Sequence, residues 1–228
     1  MNSDLSFLYQ ATRDRFCAAG QQAAALDELL VELSSVWDEA EGILANEDAG
    51  DRSLIACGPG CGTCCVVNVA SSFPEAVAVA RYLIEVPAID QDVILERLHK
   101  LWRDVRGVED GERVLMHRPC AFLDAAGHCL VHPVRPLICR SVTSTDPELC
   151  RAAVAAEVCG CSVPIVMHQF QQRLYETLFT ALTAGLAQAG WDDRSFQLSG
   201  LVRFLLIHPE EETLRGRDQV LTWADLYP

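Results

Sequence analysis

The sequence lacks any run of about 18 apolar residues, the length that a membrane-spanning helix requires. Its longest dense apolar stretch, residues 198–207, is short and interrupted. Basic residues are also scarce: 18 Lys and Arg stand against 32 Asp and Glu, so the net charge is −14. A protein with this charge repels DNA, RNA and anionic lipid surfaces. We therefore expect neither nucleic acid nor a membrane as a partner.

Signals for export and for several kinds of catalysis are absent as well. Residues 1–5 contain neither the basic segment nor the apolar core of a signal peptide, so we expect a cytoplasmic protein with reduced thiols. The sequence has no phosphate-binding glycine loop, no His-Glu-x2-His pair and no Ser–His–Asp arrangement. No segment has the alternation typical of strands.

Eleven cysteines are the unusual feature of this chain of 228 residues. They amount to about 5% of the residues, below the ~8–10% of small disulfide-rich scaffolds. Ten of them lie within residues 57–161. Cys17 stands apart, and we interpret it as a small buried core residue on a helix. The distribution indicates one localised cysteine-rich site.

Apolar residues recur at helical spacing along most of the chain, which predicts a mostly α fold. We expect a single helical domain with irregular cysteine-rich metal-binding loops. Residues 1–50 are predicted to be an N-terminal helical extension, residues 51–165 the cysteine-cluster domain, and residues 166–228 a helical segment packed on it. Residues 4–19 and 22–48 are predicted to form one long helix or two. Further helices are predicted at about 73–85, 90–107, 147–158, 166–189 and 196–207.

Helix starts and loops have distinct signals. Ser72-Phe-Pro-Glu75 is a capping box with proline in the first turn, and Asp90 and Asp146 are further candidate caps. Residues 56–65 and 118–140 contain glycines and prolines that break any helical period, so we expect both to be loops. Such loops need a crosslink to become ordered. A bound metal supplies one, since thiolate ligation contributes on the order of 10 kcal/mol of folding free energy.

The spacing of the cysteines predicts metal binding. Four thiols within nine residues, in the pattern Cys57-x3-Cys61-x2-Cys64-Cys65, repel one another as thiolates unless a cation neutralises them. Soft sulfur selects zinc, copper(I) or iron–sulfur clusters. Adjacent side chains diverge, so Cys64 and Cys65 are expected to serve two neighbouring sites. The eight candidate ligands suffice for two four-thiolate sites or one polynuclear cluster, and we expect more than one metal ion: Cys57, Cys61, Cys64, Cys65, Cys120, Cys129, Cys139 and Cys150.

The arginines and histidines near the loops leave alternatives open. Arg135 and Arg140 are candidate cofactor-binding residues, because each could donate to metal-bound sulfur or hold an anionic substrate. The alternative for each is an ion pair with an acid. His128 and His132 are either imidazole ligands or solvent-facing or capping histidines.

The remaining cysteines also have more than one interpretation. Cys159 and Cys161 are spare ligands, a redox-active pair or buried core thiols. Disulfide pairing is the alternative to metal binding for the whole set, and the absence of an export signal weighs against it.

Five sequence features together resemble the YkgJ-like cysteine-cluster family, whose members are described as chelating zinc or iron. They are the cysteine pattern of residues 57–65, the Ser-Phe-Pro-Glu-Ala helix start at 72–76, Cys120-x-Phe122-Leu123, Gly127-x-Cys129 and Arg135-Pro136-x2-Cys139-Arg140. The resemblance covers about residues 55–165. It implies that the first seven of the eight candidate cysteines are metal ligands. Iron–sulfur oxidoreductases and flagellin lysine N-methylases belong to the same family, so the resemblance also suggests enzymatic activity.

Three functions are compatible with these features. The first is an iron–sulfur protein in electron transfer or redox chemistry on a peptide or protein substrate, as an oxidoreductase or a protein-modifying enzyme. The second is a zinc-binding structural or interaction module without catalysis. The third is metal storage or delivery.

Overall fold

The structure is a computed structural model that describes residues 2–46, 51–157, 161, 163–212 and 221–226. It is mostly helical, which confirms the predicted fold class. The helices are α1 (Asn2–Gly20), α2 (Ala25–Leu44), α3 (Phe73–Glu85), α4 (Gln91–Val105), α5 (Asp110–Leu115), α6 (Leu137–Ser141), α7 (Pro147–Glu157), α8 (Gln169–Gln188), α9 (Leu198–Ile207) and α10 (Trp223–Leu226). The strands are β1 (Ala70–Ser71) and β2 (Phe196–Gln197), and short 3-10 turns cover His132–Val134 and Pro209–Glu212.

The three predicted helix starts are confirmed. Helix α3 begins with the capping box, and both reciprocal hydrogen bonds of that motif are present. The Asp90 carboxylate accepts a hydrogen bond from the backbone N–H of Val93 at 3.2 Å at the start of α4. The Asp146 carboxylate accepts from the N–H of Glu148 at 2.8 Å at the start of α7. The predicted end of α7 at Val158 lies outside the described residues.

The structure decides whether the N-terminal stretch is one helix or two, and it changes one other predicted helix. The N-terminal stretch is two helices, α1 and α2, separated at residues 21–24. Residues 196–207 were predicted as one helix, but they begin with β2, which pairs antiparallel with β1. The N–H of Leu198 then donates to the carbonyl of Val69 at 2.9 Å. This bond extends the short ladder to the first residue of α9.

The second predicted loop, residues 118–140, is only partly irregular. It contains one 3-10 turn and runs into α6, so Cys139 lies on a short helix rather than in a loop. Pro136 immediately precedes α6, where its fixed φ suits a helix start. Neither α5 nor α6 was predicted, because five or six residues are too few for a helical period to stand out.

The first and last parts of the chain pack against each other. Helix α1 lies against α8, which also contacts α6, while α9 packs on α3 and α4. A Cβ atom on Gly185 of α8 would lie 2.6 Å from the carbonyl oxygen of Arg13, so a glycine is needed for this close approach. Phe16 and Leu182 are fully buried in the shared core. The division into extension, central domain and C-terminal segment stays a prediction.

The helices are also too short or too polar for a bilayer. Within the described ranges, none combines the length and the apolar character that crossing a membrane demands.

A buried carboxylate joins α3 to α6. Glu75 is fully buried, and its Oε2 accepts hydrogen bonds from the N–H and the hydroxyl of Ser72, both at 2.8 Å. Its Oε1 accepts from the N–H of Leu137 at 2.8 Å. Burial raises the pKa of Glu75, and the Leu137 and Ser72 donors oppose that effect. The cap of α3 therefore also positions the first turn of α6, which carries Cys139.

Glu75→Ala should lower the free energy of unfolding by about 3 kcal/mol, because two buried backbone N–H groups lose their acceptor. Glu75→Gln should cost less, since its amide oxygen can replace one carboxylate oxygen. Urea denaturation measures both variants. Glu85→Ala, at the exposed end of the same helix, is the control and should change stability by less than about 0.5 kcal/mol. Equal stability of Glu75→Ala and the wild type would contradict this role.

Candidate metal centre

Backbone hydrogen bonds hold the first cysteine loop (residues 56–65) at both ends. The N–H of Ala56 donates to the carbonyl of Ser144 at 2.8 Å, which ties the start of the loop to the segment between α6 and α7. The N–H of Cys120 donates to the carbonyl of Cys65 at 2.7 Å, which ties its end to the second cysteine loop (residues 118–136). Three segments that are distant in sequence thus meet at the cysteines.

The two cysteine loops touch through a pair of glycines. Gly60 and Gly127 have φ values of +85° and +82°, in the left-handed region that favours glycine. A Cβ atom on Gly127 would lie 2.8 Å from the carbonyl oxygen of Gly60. Both the backbone conformation and the close approach therefore require glycine at position 127.

The second cysteine loop folds back on itself around Asp124. One oxygen of this carboxylate accepts hydrogen bonds from the N–H groups of Ala126 and His128, both at 2.8 Å. The N–H of Asp124 donates in turn to the carbonyl of His128 at 2.9 Å. This turn brings Cys120 and Cys129 within electrostatic range of each other. As a consequence, the thiol of Cys129 contributes to raising the pKa of Cys120.

Four half-buried thiols form what we call the inner group: Cys65, Cys120, Cys129 and Cys139. Burial raises the pKa of Cys120 to about 11, while a hydrogen bond from the backbone N–H of Phe122 acts in the opposite direction. Burial is also the main cause of the raised pKa of Cys139, and the thiols of Cys120 and Cys129 add to it. Neighbouring thiols therefore oppose ionisation of Cys120 and Cys139.

A second set of cysteines forms what we call the outer group: Cys57, Cys61, Cys64 and Cys150. Cys57 and Cys64 are exposed, and the other two are half-buried. Partial burial raises the pKa of Cys57, and the other three thiols raise it further. The N–H of Ser144 donates to the Cys57 sulfur at 3.2 Å and opposes this shift. Backbone donors thus reach sulfurs in both groups.

The dipeptide Cys64-Cys65 joins the two groups. A hydrogen bond between its thiols lowers the pKa of Cys64 and, together with burial, raises that of Cys65. Cys64 also affects the pKa of Cys57 in the outer group and of Cys120 in the inner group. This arrangement is compatible with one metal site on each side of the dipeptide, and the ligand assignment itself stays a prediction.

The thiols are neighbours without forming a finished coordination shell. Among the described residues, no three His, Cys, Asp or Glu side chains are grouped so that they could hold a metal ion as they stand. None of the ten cysteines in the described ranges forms a disulfide. Closing a shell requires side-chain rotation and loss of the thiol protons, both of which metal binding drives.

The cysteines outside the two groups have varied surroundings. Cys17 was predicted to be a buried core residue, but it is half-buried and accepts a hydrogen bond from Gln21 at 3.6 Å. It lies near the end of α1, beside the exposed turn that leads to α2, and this explains the difference. Cys161 is exposed, which argues against a buried core thiol. Cys159 lies outside the described residues.

Arg140 has a structural environment. It is 8% exposed, and its Nε and Nη2 donate to the carbonyls of Arg135 and Pro133 at 2.9 and 2.6 Å. Its Nη1 lies 3.9 Å from Glu41, and its guanidinium lies 4.9 Å from the centre of the Trp37 ring. Of the two alternatives for Arg140, these contacts support the pairing with an acid.

Arg135, in contrast, faces the thiols. Its positive charge contributes to lowering the pKa values of Cys64, Cys129 and Cys139, which belong to both groups. Its Nε is buried and has no hydrogen-bond partner within the described part of the chain. Arg135 is thus a donor available to metal-bound sulfur.

The two candidate histidines lie at the surface. His128 is exposed, and its Nδ1 is 3.2 Å from a carboxylate oxygen of Asp124, which supports the solvent-facing alternative. His132 is also exposed as a residue, and the positive charges of Arg135 and Arg140 add to the burial effect that lowers its pKa. Ligation by His132 stays a prediction.

Sequence patterns missed Arg113, on α5. This residue is 2% exposed, its Nη1 has no hydrogen-bond partner among the described residues, and it interacts electrostatically with Cys120. Nothing in the local sequence marks a single arginine in a short polar helix as buried. Four thiolates around a divalent ion form a complex with a net charge of about −2. The N–H groups of Arg113 and Arg135 that have no partner among the described residues lie beside the thiols and could donate to such a complex.

Gly127→Ala should lower both the free energy of unfolding and the metal content of the protein. The backbone strain and the clash with Gly60 together should cost about 2–3 kcal/mol and separate the cysteine loops. Gly107→Ala is the matched control: its φ is +74°, but a Cβ there meets nothing within 4 Å. It should show the smaller stability loss and unchanged metal content. Urea denaturation and elemental analysis measure the two effects, and equal metal loss in both variants would contradict the role of the loop contact.

The comparisons with known proteins agree with this chemistry. A family model described as "CxxCxxCC: Putative zinc- or iron-chelating domain" matches residues 56–160, a range that contains all eight candidate ligands. The family name has two residues between its first two cysteines, whereas this chain has three, including the left-handed Gly60. No curated protein and no solved structure matches the chain. Residues 56–160 are therefore similar to the CxxCxxCC family of zinc- or iron-chelating domains, and this similarity supports metal binding at the cysteines.

Proposed function

We propose that this protein holds metal at two adjoining thiolate sites and acts in electron transfer. The observation that carries the proposal is the division of eight thiols into two sets, an outer group with two exposed members and a half-buried inner group, joined at Cys64-Cys65. Cys57, Cys61, Cys64 and Cys150 would hold the outer site. The inner group would hold the other.

Bound iron–sulfur clusters would supply one-electron transfer, at potentials that depend on charge, solvent exposure and hydrogen bonds to sulfur. The chain's contribution is to arrange those three factors. N–H groups of Ser144, Phe122 and Val131 donate to Cys57, Cys120 and Cys129 respectively. Two residues of the outer group are exposed, whereas all four of the inner group are half-buried, so the two sites would differ in exposure.

The surroundings favour a protein as redox partner. The cavity beside Cys120 has room for about one water molecule, which is too little for a bound substrate. Electron transfer needs close approach of a partner and no substrate pocket. The exposed residues Cys57 and Cys64 would lie on the side of such a partner, which would be a peptide or protein rather than nucleic acid, given the net charge of −14.

A second candidate function is a zinc-binding structural module. The connections between the cysteine loops favour it, since single hydrogen bonds such as that from Cys120 to Cys65 join otherwise irregular segments. Two closed four-thiolate zinc sites would crosslink these segments and perform no reaction. The ligand residues would be the same as in the first proposal.

Metal analysis distinguishes the two functions. Protein purified without oxygen, from cells supplied with both iron and zinc, should contain iron and inorganic sulfide and absorb broadly near ~400 nm. Zinc in place of iron, with no sulfide, would contradict electron transfer and support the structural module. Reconstitution with iron and sulfide, followed by stepwise reductive titration, checks that the iron is redox-active.

Single substitutions test the division of the thiols. Cys65→Ser should remove the inner metal and Cys64→Ser the outer metal, so each variant should retain about half of the wild-type metal. Cys120→Ser should behave like Cys65→Ser. Cys17→Ser is the control and should retain full metal content, because this half-buried thiol lies on α1. Identical spectra for the Cys64 and Cys65 variants, or complete metal loss in both, would point to one polynuclear site instead.

A further inference from the structure

Arg113 is exceptional among the buried charged side chains of the described residues. Glu75, Arg140, Asp192 and Arg203 each have hydrogen bonds or ion pairs that satisfy their charges. Arg113 is 2% exposed, yet its Nη1 has no hydrogen-bond partner in the described part of the chain. A buried charge without a partner is strongly destabilising, so its presence calls for a compensating anion.

The environment of Arg113 indicates where that anion belongs. Arg113 and Cys120 line the same small cavity, whose other walls are mainly apolar. The guanidinium and the Cys120 sulfur interact electrostatically. Apolar surroundings strengthen such an interaction, because there is little water to screen it.

We propose that Arg113 is the counter-cation of the inner metal–thiolate site, an inference that rests on the proposed function. Four thiols that bind one divalent ion release four protons, and the resulting complex carries a net charge of −2. A fixed guanidinium next to one of its sulfurs stabilises that charge. Arg113 is therefore a positioning and charge-compensating residue, not a ligand.

This role predicts opposite effects on the metal-free and metal-bound protein. Without metal, Arg113 is an unpaired buried charge, and replacing it by methionine of similar length should raise the urea midpoint. With metal, the same substitution removes the compensating charge and should weaken binding. A residue that merely packs the fold would change stability with no selective effect on metal affinity.

The experiment measures Zn²⁺ affinity by competition with a chromophoric chelator, and the urea midpoint of the metal-free protein, for full-length variants. Arg113→Met should bind Zn²⁺ at the inner site about 10- to 100-fold more weakly than wild type, with an equal or higher midpoint. Arg113→Lys, which keeps the charge, should recover most of the affinity. In variants that also carry Cys64→Ser, the inner site is measured alone.

Arg203→Met is the matched control. Arg203 is also buried at 5% exposure, but it donates to His99 at 2.8 Å and to the carbonyl of Leu226 at 3.3 Å. Its replacement should lower the midpoint and leave Zn²⁺ affinity unchanged. Unchanged affinity in Arg113→Met, or equal losses in the Met and Lys variants, would overturn the inference. Absence of Zn²⁺ and iron binding by the wild type would instead overturn the proposed function.

Discussion

Mutual repulsion between neighbouring thiolates is the constraint on which this architecture depends. Eight cysteines from four segments lie within electrostatic range in two groups, and partial burial makes ionisation of several of them harder still. Free thiols avoid the repulsion by keeping their protons, whereas bound metal removes the protons and neutralises the charge. The loops therefore have to bring the sulfurs close without depending on any attraction between them.

Backbone contacts supply that proximity. The Gly60–Gly127 approach and the hydrogen bond between Cys120 and Cys65 join the two cysteine loops. Glu75 extends the same framework into the helices, because its carboxylate caps α3 and accepts from the start of α6. The cysteine site is thus held by the helical core and by its own loops together.

The electrostatics of the site differ from those of the whole molecule. The chain carries a net charge of −14, yet the charged side chains next to the inner thiols include two arginines, Arg113 and Arg135, each with a buried N–H that has no partner among the described residues. Arg140 directly follows Cys139 in the sequence, but its guanidinium donates to backbone carbonyls and lies near Glu41 instead. All three residues are arginines, so it is their position relative to the sulfurs that distinguishes Arg113 and Arg135 from Arg140.

The sequence by itself determined the helical class, the capped start of α3 and the metal chemistry, because helical period, capping boxes and cysteine spacing act over a few neighbouring residues. Only the tertiary structure decided that Cys139 lies on a helix, how the thiols divide, and which arginine faces them. These features depend on contacts between segments as far apart as Glu75 and Leu137. No local pattern encodes them, because burial and electrostatic neighbours exist only once the chain has folded.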